Sequence, residues 1–277
     1  MKIDAHQHFW QFDPQKYSWV PEGIQRNFFP MDLEPLLRKN DFDGCIAVQA
    51  DQSEEETVKL LEMANTYSYI KGVVGWVDLS AENVEERLEL YSRDPAFKGV
   101  RHTVWDEKGE FMTAPAFQRG IAKLNNFKLT YDILAFDYQL DSAVELVKTF
   151  PDQKFVLDHL GKPPISEGIS EAWKRNIIEL ANSGKVYCKI SGLVTQVSDP
   201  SWNDSDLFPF LEVVTAAFGS DRLMFGSDWP VCLSAATYEE VLEVVEEFYR
   251  DFSGEEKEMI FGGNATRFYN LNPKLES

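Results

Sequence analysis

The chain has 277 residues, 44% hydrophobic and 26% charged, with a net charge of −19 at pH 7. This length suits one barrel-sized domain over residues 1–277 better than two small ones, and the negative charge disfavours nucleic acid, anionic membranes and polyanionic substrates. No apolar run approaches a membrane span, the N-terminus enters a polar strand without a secretory pattern, and Cys45, Cys188 and Cys232 are odd in number and lack metal-site spacing, so a cytoplasmic protein is expected.

In chain order, short β-branched apolar runs alternate with helical patterns. The runs are residues 2–8, 44–50, 72–77, 99–104, 128–133, 154–159, 186–191 and 222–227. Between them, apolar residues at helical spacing predict helices at 54–67, 81–93, 115–124, 138–149, 170–183, 208–218 and 238–252. In the last of these, Val241, Val244, Val245 and Phe248 form the stripe, and Glu239, Glu240, Glu243, Glu246 and Glu247 form a solvated face. Strands alternating with helices imply a parallel sheet, and eight strands close it. The expected fold is therefore a single (β/α)8 TIM barrel. Long connections at 9–31, 161–169 and 192–207 follow strands one, six and seven, at the barrel end where sites form, and are expected to roof a site.

The strand ends carry the chemistry. In Asp4-Ala5-His6-Gln7-His8, side chains alternate faces, so both imidazoles project together in a chelating arrangement, with Asp4 on the same face as interior support. By itself this is a short motif that arises by chance, and two ordinary polar strand-end residues are its commoner reading. The other strands end in Gln49, Trp76, Arg101-His102, Asp132, Asp158-His159, Lys189-Ile190-Ser191 and Gly226-Ser227-Asp228-Trp229-Pro230. All four histidines thus fall at one rim, which points to a site built from His and Asp.

Three segments resemble the amidohydrolase superfamily in its amidohydrolase-2 branch, over essentially the whole chain: the opening Asp-x-His-x-His, Val156-Leu157-Asp158-His159-Leu160-Gly161-Lys162-Pro163, and Phe225-Gly226-Ser227-Asp228-Trp229-Pro230. Together with Gly75-Trp76-Val77-Asp78-Leu79, Gly99-Val100-Arg101-His102 and Cys188-Lys189-Ile190-Ser191-Gly192-Leu193, the pattern is similar to sugar lactonases acting on aldonolactones such as L-fuconolactone or L-rhamnonolactone. The resemblance implies metal or oxyanion binding by His6, His8 and His159, with Asp228 as the carboxylate that activates water. Such an ion lowers the pKa of bound water from about 15.7 to about 7, and an aspartate can take and return the proton. Two-metal members use a strand-four lysine and histidines on strands five and six. This chain has Arg101-His102 and Asp132 at strands four and five, so a two-metal site is not expected. One divalent ion held by His6, His8, His159 and Asp228, zinc or manganese, is expected, with a metal-free mechanism as the alternative.

The remaining candidates flank this set. Arg101 and His102 are neighbours that face opposite ways on a regular strand; both are expected near substrate, His102 as a third catalytic residue, which requires a bulge. Arg101 suits a carbonyl clamp, or an ion pair with Asp132 or Asp78. Lys189 suits a ring-oxygen donor, or an interior cation paired with a carboxylate. Trp10, Trp76, Trp105 and Trp229 offer flat faces to a sugar ring, or core packing. Gln49 and Asp132 complete the substrate-binding set. The expected function is hydrolysis of a small-molecule sugar-acid lactone. The rivals are a metal-dependent decarboxylase of the same branch and a non-catalytic sugar-binding barrel. Loop tryptophans Trp19 and Trp202 are candidates for a homo-oligomer interface.

Overall fold

Each of the eight apolar runs becomes a strand, and every strand pairs in parallel with its sequence neighbours. The computed structural model describes residues 1–103, 109–183, 185–197 and 202–271; Val104, at the predicted end of strand four, and Trp105 lie outside them. The strands are β1 Ile3–Gln7, β2 Gly44–Val48, β3 Ile70–Gly75, β4 Phe97–His102, β5 Thr130–Ile133, β6 Phe155–Leu157, β7 Val186–Ile190 and β8 Leu223–Phe225. Among the described residues the helices are α1 Pro30–Lys39, α2 Glu54–Thr66, α3 Val84–Ser92, α4 Pro115–Leu124, α5 Leu140–Thr149, α6 Glu171–Asn182, α7 Asp204–Phe218, α8 Tyr238–Phe248, α9 Gly254–Glu258 and α10 Asn264–Phe268. Strands alternating with helices around an eight-stranded sheet form the (β/α)8 TIM barrel, a single domain. None of these helices is long and apolar enough to cross a membrane.

Helix starts follow local capping chemistry. Ser53, Ser170 and Thr237 side chains accept the backbone N–H of Glu56, Trp173 and Glu240, meeting donors that a first turn leaves open. Helix α1 sits where the sequence predicts loop, because Pro30, Asp32 and Pro35 interrupt its apolar pattern; Pro30 is nonetheless suited to a first turn. Helix α7 starts four residues earlier than predicted, since Asn203 caps it and Pro209 is tolerated within it.

The outward faces of the strands pack on the helices, while Ile3, Ala5, Ile46, Val48, Val74, Val156 and Met224 form a separate interior cluster. That cluster is completed by Ala265, Phe268, Tyr269 and Leu271, so the C-terminal segment plugs the barrel end where strands begin. There the Lys98 and Lys154 ammoniums donate to the Asn270 and Phe268 carbonyls.

At the opposite end, the β1–α1 connection folds back on itself through a Trp10–Phe28 bridge and is tethered at Glu56. The Tyr17 hydroxyl donates to Glu56 Oε1 (3.2 Å), and the backbone N–H groups of Ala50 and Asp51 donate to Oε2 (2.9 and 2.7 Å). Burial, helped by the nearby charge of Asp51, raises this carboxyl from 4.5 to about 7 against the pull of the two N–H donors. A folded value above the unfolded one adds stability that is full below pH 4.5 and is lost as pH rises through about 7. Glu56→Gln keeps an acceptor for the backbone and a donor for Tyr17. Relative to wild type it is expected to gain stability by up to about 3 kcal/mol between pH 4.5 and 8, measured by urea unfolding; a constant difference across that range would refute this.

Candidate active site

The first strand does not alternate regularly. Its register steps from Asp4 opposite Cys45 to Gln7 opposite Ala47, so Ala5 and His6 together oppose Ile46 in a bulge. The bulge turns both His6 and His8 inward and leaves Asp4 on the outer face with Cys45, correcting the expectation that Asp4 shares the histidine face. Asp4 instead laces the barrel seam, accepting from the Ser227 N–H (2.9 Å) and hydroxyl (2.6 Å). Across the same seam, Asp228 N–H donates to the His6 carbonyl (2.8 Å) and His8 N–H to the Trp229 carbonyl (2.7 Å). Gly226 is required here, since a Cβ would lie 2.6 Å from that of His6.

His6, His8, His159 and Asp228 converge. The Nε2 atoms of His6 and His8 are 3.2 Å apart, and Asp228 Oδ1 lies 3.4 Å from His8 Nε2 and 3.7 Å from His6 Nε2. The His159 ring centroid is 4.5 Å from that of His6. Each imidazole is oriented through Nδ1: His8 donates to the Val48 carbonyl (2.8 Å), His159 faces Ser191 Oγ (2.8 Å), and His6 faces Asp158 (3.4 Å) and Lys189 Nζ (3.2 Å). Such outer partners aim Nε2 at the centre. Gly192, at φ 65°, passes so close to His159 that a Cβ would meet Nδ1 at 2.6 Å.

Burial keeps the three imidazoles neutral: His6 and His8 are lowered, and His159 falls to about 4. Burial alone would raise Asp228, but His159, His8 and His6 around it hold it well below the usual carboxylate range. Because neutral His8 uses its proton on Val48, its Nε2 lone pair faces the Asp228 carboxylate. Two acceptors at 3.4 Å call for a cation between them. Ligand atoms of a tetrahedral ion with bonds of about 2.0–2.1 Å lie about 3.3 Å apart, close to the spacings of His6, His8 and Asp228. His6, His159 and Asp228 also offer ligand atoms within 4.8 Å of one another. The donor set fits one divalent ion.

Below the histidines, charges pair inside the barrel. Lys189 Nζ contacts Asp132 Oδ2 (2.5 Å) and Asp158 Oδ1 (3.1 Å), all fully buried. Arg101 reaches Asp158 Oδ2 and His6 Nε2 (both 3.2 Å) and also donates to the Gln49 carbonyl. The Tyr269 hydroxyl, from the C-terminal plug, donates to Asp132 (2.7 Å). Burial raises Asp132 to about 6, whereas Lys189, His6 and Arg101 outweigh burial at Asp158 and lower it.

Several predicted contacts are rearranged. Lys189 and Asp132, expected at the substrate, are fully buried and paired with each other, and Lys189 Nζ contacts His6 Nδ1. No bulge intervenes between Arg101 and His102, so Arg101 points in and His102 points out. His102 pairs in register with Ile133, stacks on Phe111 at 4.3 Å and accepts from Trp76 Nε1 (3.3 Å). Trp10 and Trp229 are buried against Phe28, and Gln49 is buried with its amide on Thr103 and the Arg101 carbonyl. Among the predicted rim tryptophans, Trp76 keeps partial exposure. Trp19, one of the predicted interface residues, lines the mouth of the site. That cavity, about 40 Å³, is walled by His8, Arg101, His159 and Asp228, with Ala50, Thr103, Leu134, Lys162 and Val231. Sequence reasoning missed Lys162 as a wall residue, although it lies in the quoted His159 motif. It also missed Leu134 and Val231, ordinary apolar loop residues that carry no sequence signal.

Removing the central cation tests the interior network. Lys189→Met leaves Asp132 and Asp158 buried without their shared partner and is expected to cost about 3–5 kcal/mol, measured by urea unfolding at neutral pH. A loss under about 1 kcal/mol would show that the charges are not mutually compensated.

A sequence profile of the amidohydrolase family matches residues 3–271. An L-fucono-1,5-lactonase of Burkholderia multivorans is 38% identical, covering 98% of this chain and 96% of that protein. An L-fucono-1,5-lactonase of Burkholderia ambifaria is 35% identical with the same coverage. The crystal structure of an amidohydrolase from B. multivorans with bound zinc superposes with a TM-score of 0.94 at 38% identity, covering 98% of this chain and all of that one. Matched by this profile and by these relatives along nearly its whole length, the chain belongs to the amidohydrolase family.

Proposed function

We propose that this protein hydrolyses the ester bond of a sugar-acid lactone of the L-fucono-1,5-lactone kind, and is thus a carboxylic ester hydrolase. The observation that carries the reading is an ionised Asp228 that lines a small cavity with neutral His8 and His159, with His6 buried behind them, in a chain whose near full-length relatives at 35–38% identity are L-fucono-1,5-lactonases. The decarboxylase alternative has no comparable relative behind it.

Asp228 Oδ1 faces the histidines, which leaves Oδ2 to take a proton from the attacking water. Water oxygen bonds to the lactone carbonyl carbon as the carbonyl electron pair moves to its oxygen. On collapse the ring C–O bond breaks, and Asp228 returns the proton to the departing ring oxygen. A divalent ion held by His6, His8, His159 and Asp228 would polarise the carbonyl and acidify the water. A donor set of three imidazoles and one carboxylate favours zinc over manganese. About 40 Å³ holds the water and the reacting carbonyl but not a whole sugar, so the ring lies outward against Trp19, Leu134 and Val231. A neutral lactone needs no electrostatic steering toward a protein of net charge −19, and its carboxylate product is repelled.

Acid release from a panel of 1,4- and 1,5-aldonolactones, with and without chelator, tests the reading. Asp228→Asn is expected to lose at least about 3 kcal/mol of transition-state stabilisation, more than 100-fold in kcat/KM, while its circular dichroism is unchanged; near-normal turnover would end the assignment. Zinc titration of chelator-treated protein is expected to give one ion per chain, bound at least about 10-fold more weakly in His8→Ala. Two ions per chain, or unchanged affinity in that variant, would contradict the assigned ligands.

A further inference from the structure

The backbone that delivers His159 delivers a second side chain to the same cavity. His159, Leu160, Gly161 and Lys162 have φ of 54, 54, 70 and 44°, four consecutive left-handed residues of which three are not glycine. Each such L-residue costs roughly 1–2 kcal/mol, and strain of this kind persists only where surroundings hold it. Here they do. Trp173 Nε1 donates to the Leu160 carbonyl (2.9 Å), Leu160 is fully buried, and Lys162 N–H donates back to the His159 carbonyl (2.8 Å). A tight turn brings residue i+3 back over residue i, and His159 and Lys162 accordingly line one cavity with Asp228, Arg101 and His8. The ammonium of Lys162 also lies 5.1 Å from the Phe136 ring centroid, a cation–π contact from strand five's outgoing loop.

Arg101, also on the cavity wall, has its guanidinium engaged by Asp158 Oδ2, the Gln49 carbonyl and His6 Nε2. Lys162 adds a second cationic side chain to a wall that carries the Asp228 carboxylate and the already paired Arg101. A developing oxyanion beside an ionised aspartate needs such a charge.

We propose that Lys162 is a substrate-contacting residue of the hydrolysis put forward above, on which this inference rests: its ammonium donates a hydrogen bond to the lactone carbonyl oxygen as that oxygen becomes negative, and then to the product carboxylate. Lys162 keeps its proton throughout. The proton taken from water passes through Asp228 to the ring oxygen, and the new carboxylic acid releases its own proton to solvent.

The test compares wild type with Lys162→Met and Lys162→Gln on an aldonolactone that the wild type opens, with inhibition by the product acid and by the corresponding neutral alditol measured in parallel. Loss of the donor is expected to lower kcat about 100-fold with KM within about threefold, because the bond strengthens in the transition state. Inhibition by the acid is expected to weaken at least about 10-fold while that by the alditol holds, a selectivity that a merely structural lysine would not produce. Both variants retaining kcat within threefold of wild type, or acid and alditol weakening together, would overturn the inference. A wild type that opens no aldonolactone overturns the functional reading and this inference together; a wild type that opens one, matched by its Lys162 variants, overturns the inference alone.

Discussion

The structure turns on four charges buried inside a barrel. Arg101, Asp132 and Lys189 lie on β4, β5 and β7, Asp158 directly follows β6, and all four are buried, with Arg101 alone of them lining the site cavity. An isolated charge in such a place is prohibitive, and a paired one is tolerable only with good geometry and additional hydrogen bonds. The carboxylates therefore dictate where the cations point, and the strands must hold the register that brings them together. Tyr269 extends the same network to the C-terminal plug, so the two ends of the barrel interior are linked through Asp132. What this arrangement contributes to function is a fixed His6: its Nδ1 is set against Asp158 and Lys189, and its Nε2 is thereby aimed at His8 and Asp228.

The second constraint is the seam between β8 and β1. Asp4 binds Ser227 by backbone and side chain, Asp228 and His8 exchange backbone bonds with His6 and Trp229, and Asp228 itself adopts a left-handed φ of 57°. Closure of the barrel and assembly of the site are thus one event. The carboxylate that activates water in the proposed reaction is carried by the backbone that completes the sheet. Left-handed residues recur at His159 through Lys162, which places strained backbone on both sides of the cavity, as expected where a side chain must be held against its local preference.

Much of this was legible in the residues. Apolar β-branched runs and helical stripes located the eight strands and most helices, because strands buried on both faces read as continuous apolar runs and helices buried on one face read as stripes, both carried by residue order alone. Helix α1 escaped, since Pro30 and Pro35 obscure the period while remaining compatible with an N-terminal turn. At the site, His6, His8, His159 and Asp228 were identified from strand-end position and converge in space. His102 was placed with them on the assumption of a bulge at strand four. The bulge lies instead at Ala5 and His6 on strand one, and His102 turns outward onto Phe111. For Trp10 and Trp229 the residues allow a sugar platform or core packing, and the aromatic-rich β1–α1 connection buries both against Phe28.

By itself the sequence determined the layered fold and the family, because periodic burial and a set of ordered His and Asp motifs survive without knowledge of contacts. Only the tertiary structure decided which face each strand-end residue takes, which charges are interior counterions and which side chains line the cavity. Those outcomes depend on bulges, left-handed turns and the mutual compensation of buried charges. Each is settled by partners distant in the chain, and so none is written in the residue that carries it.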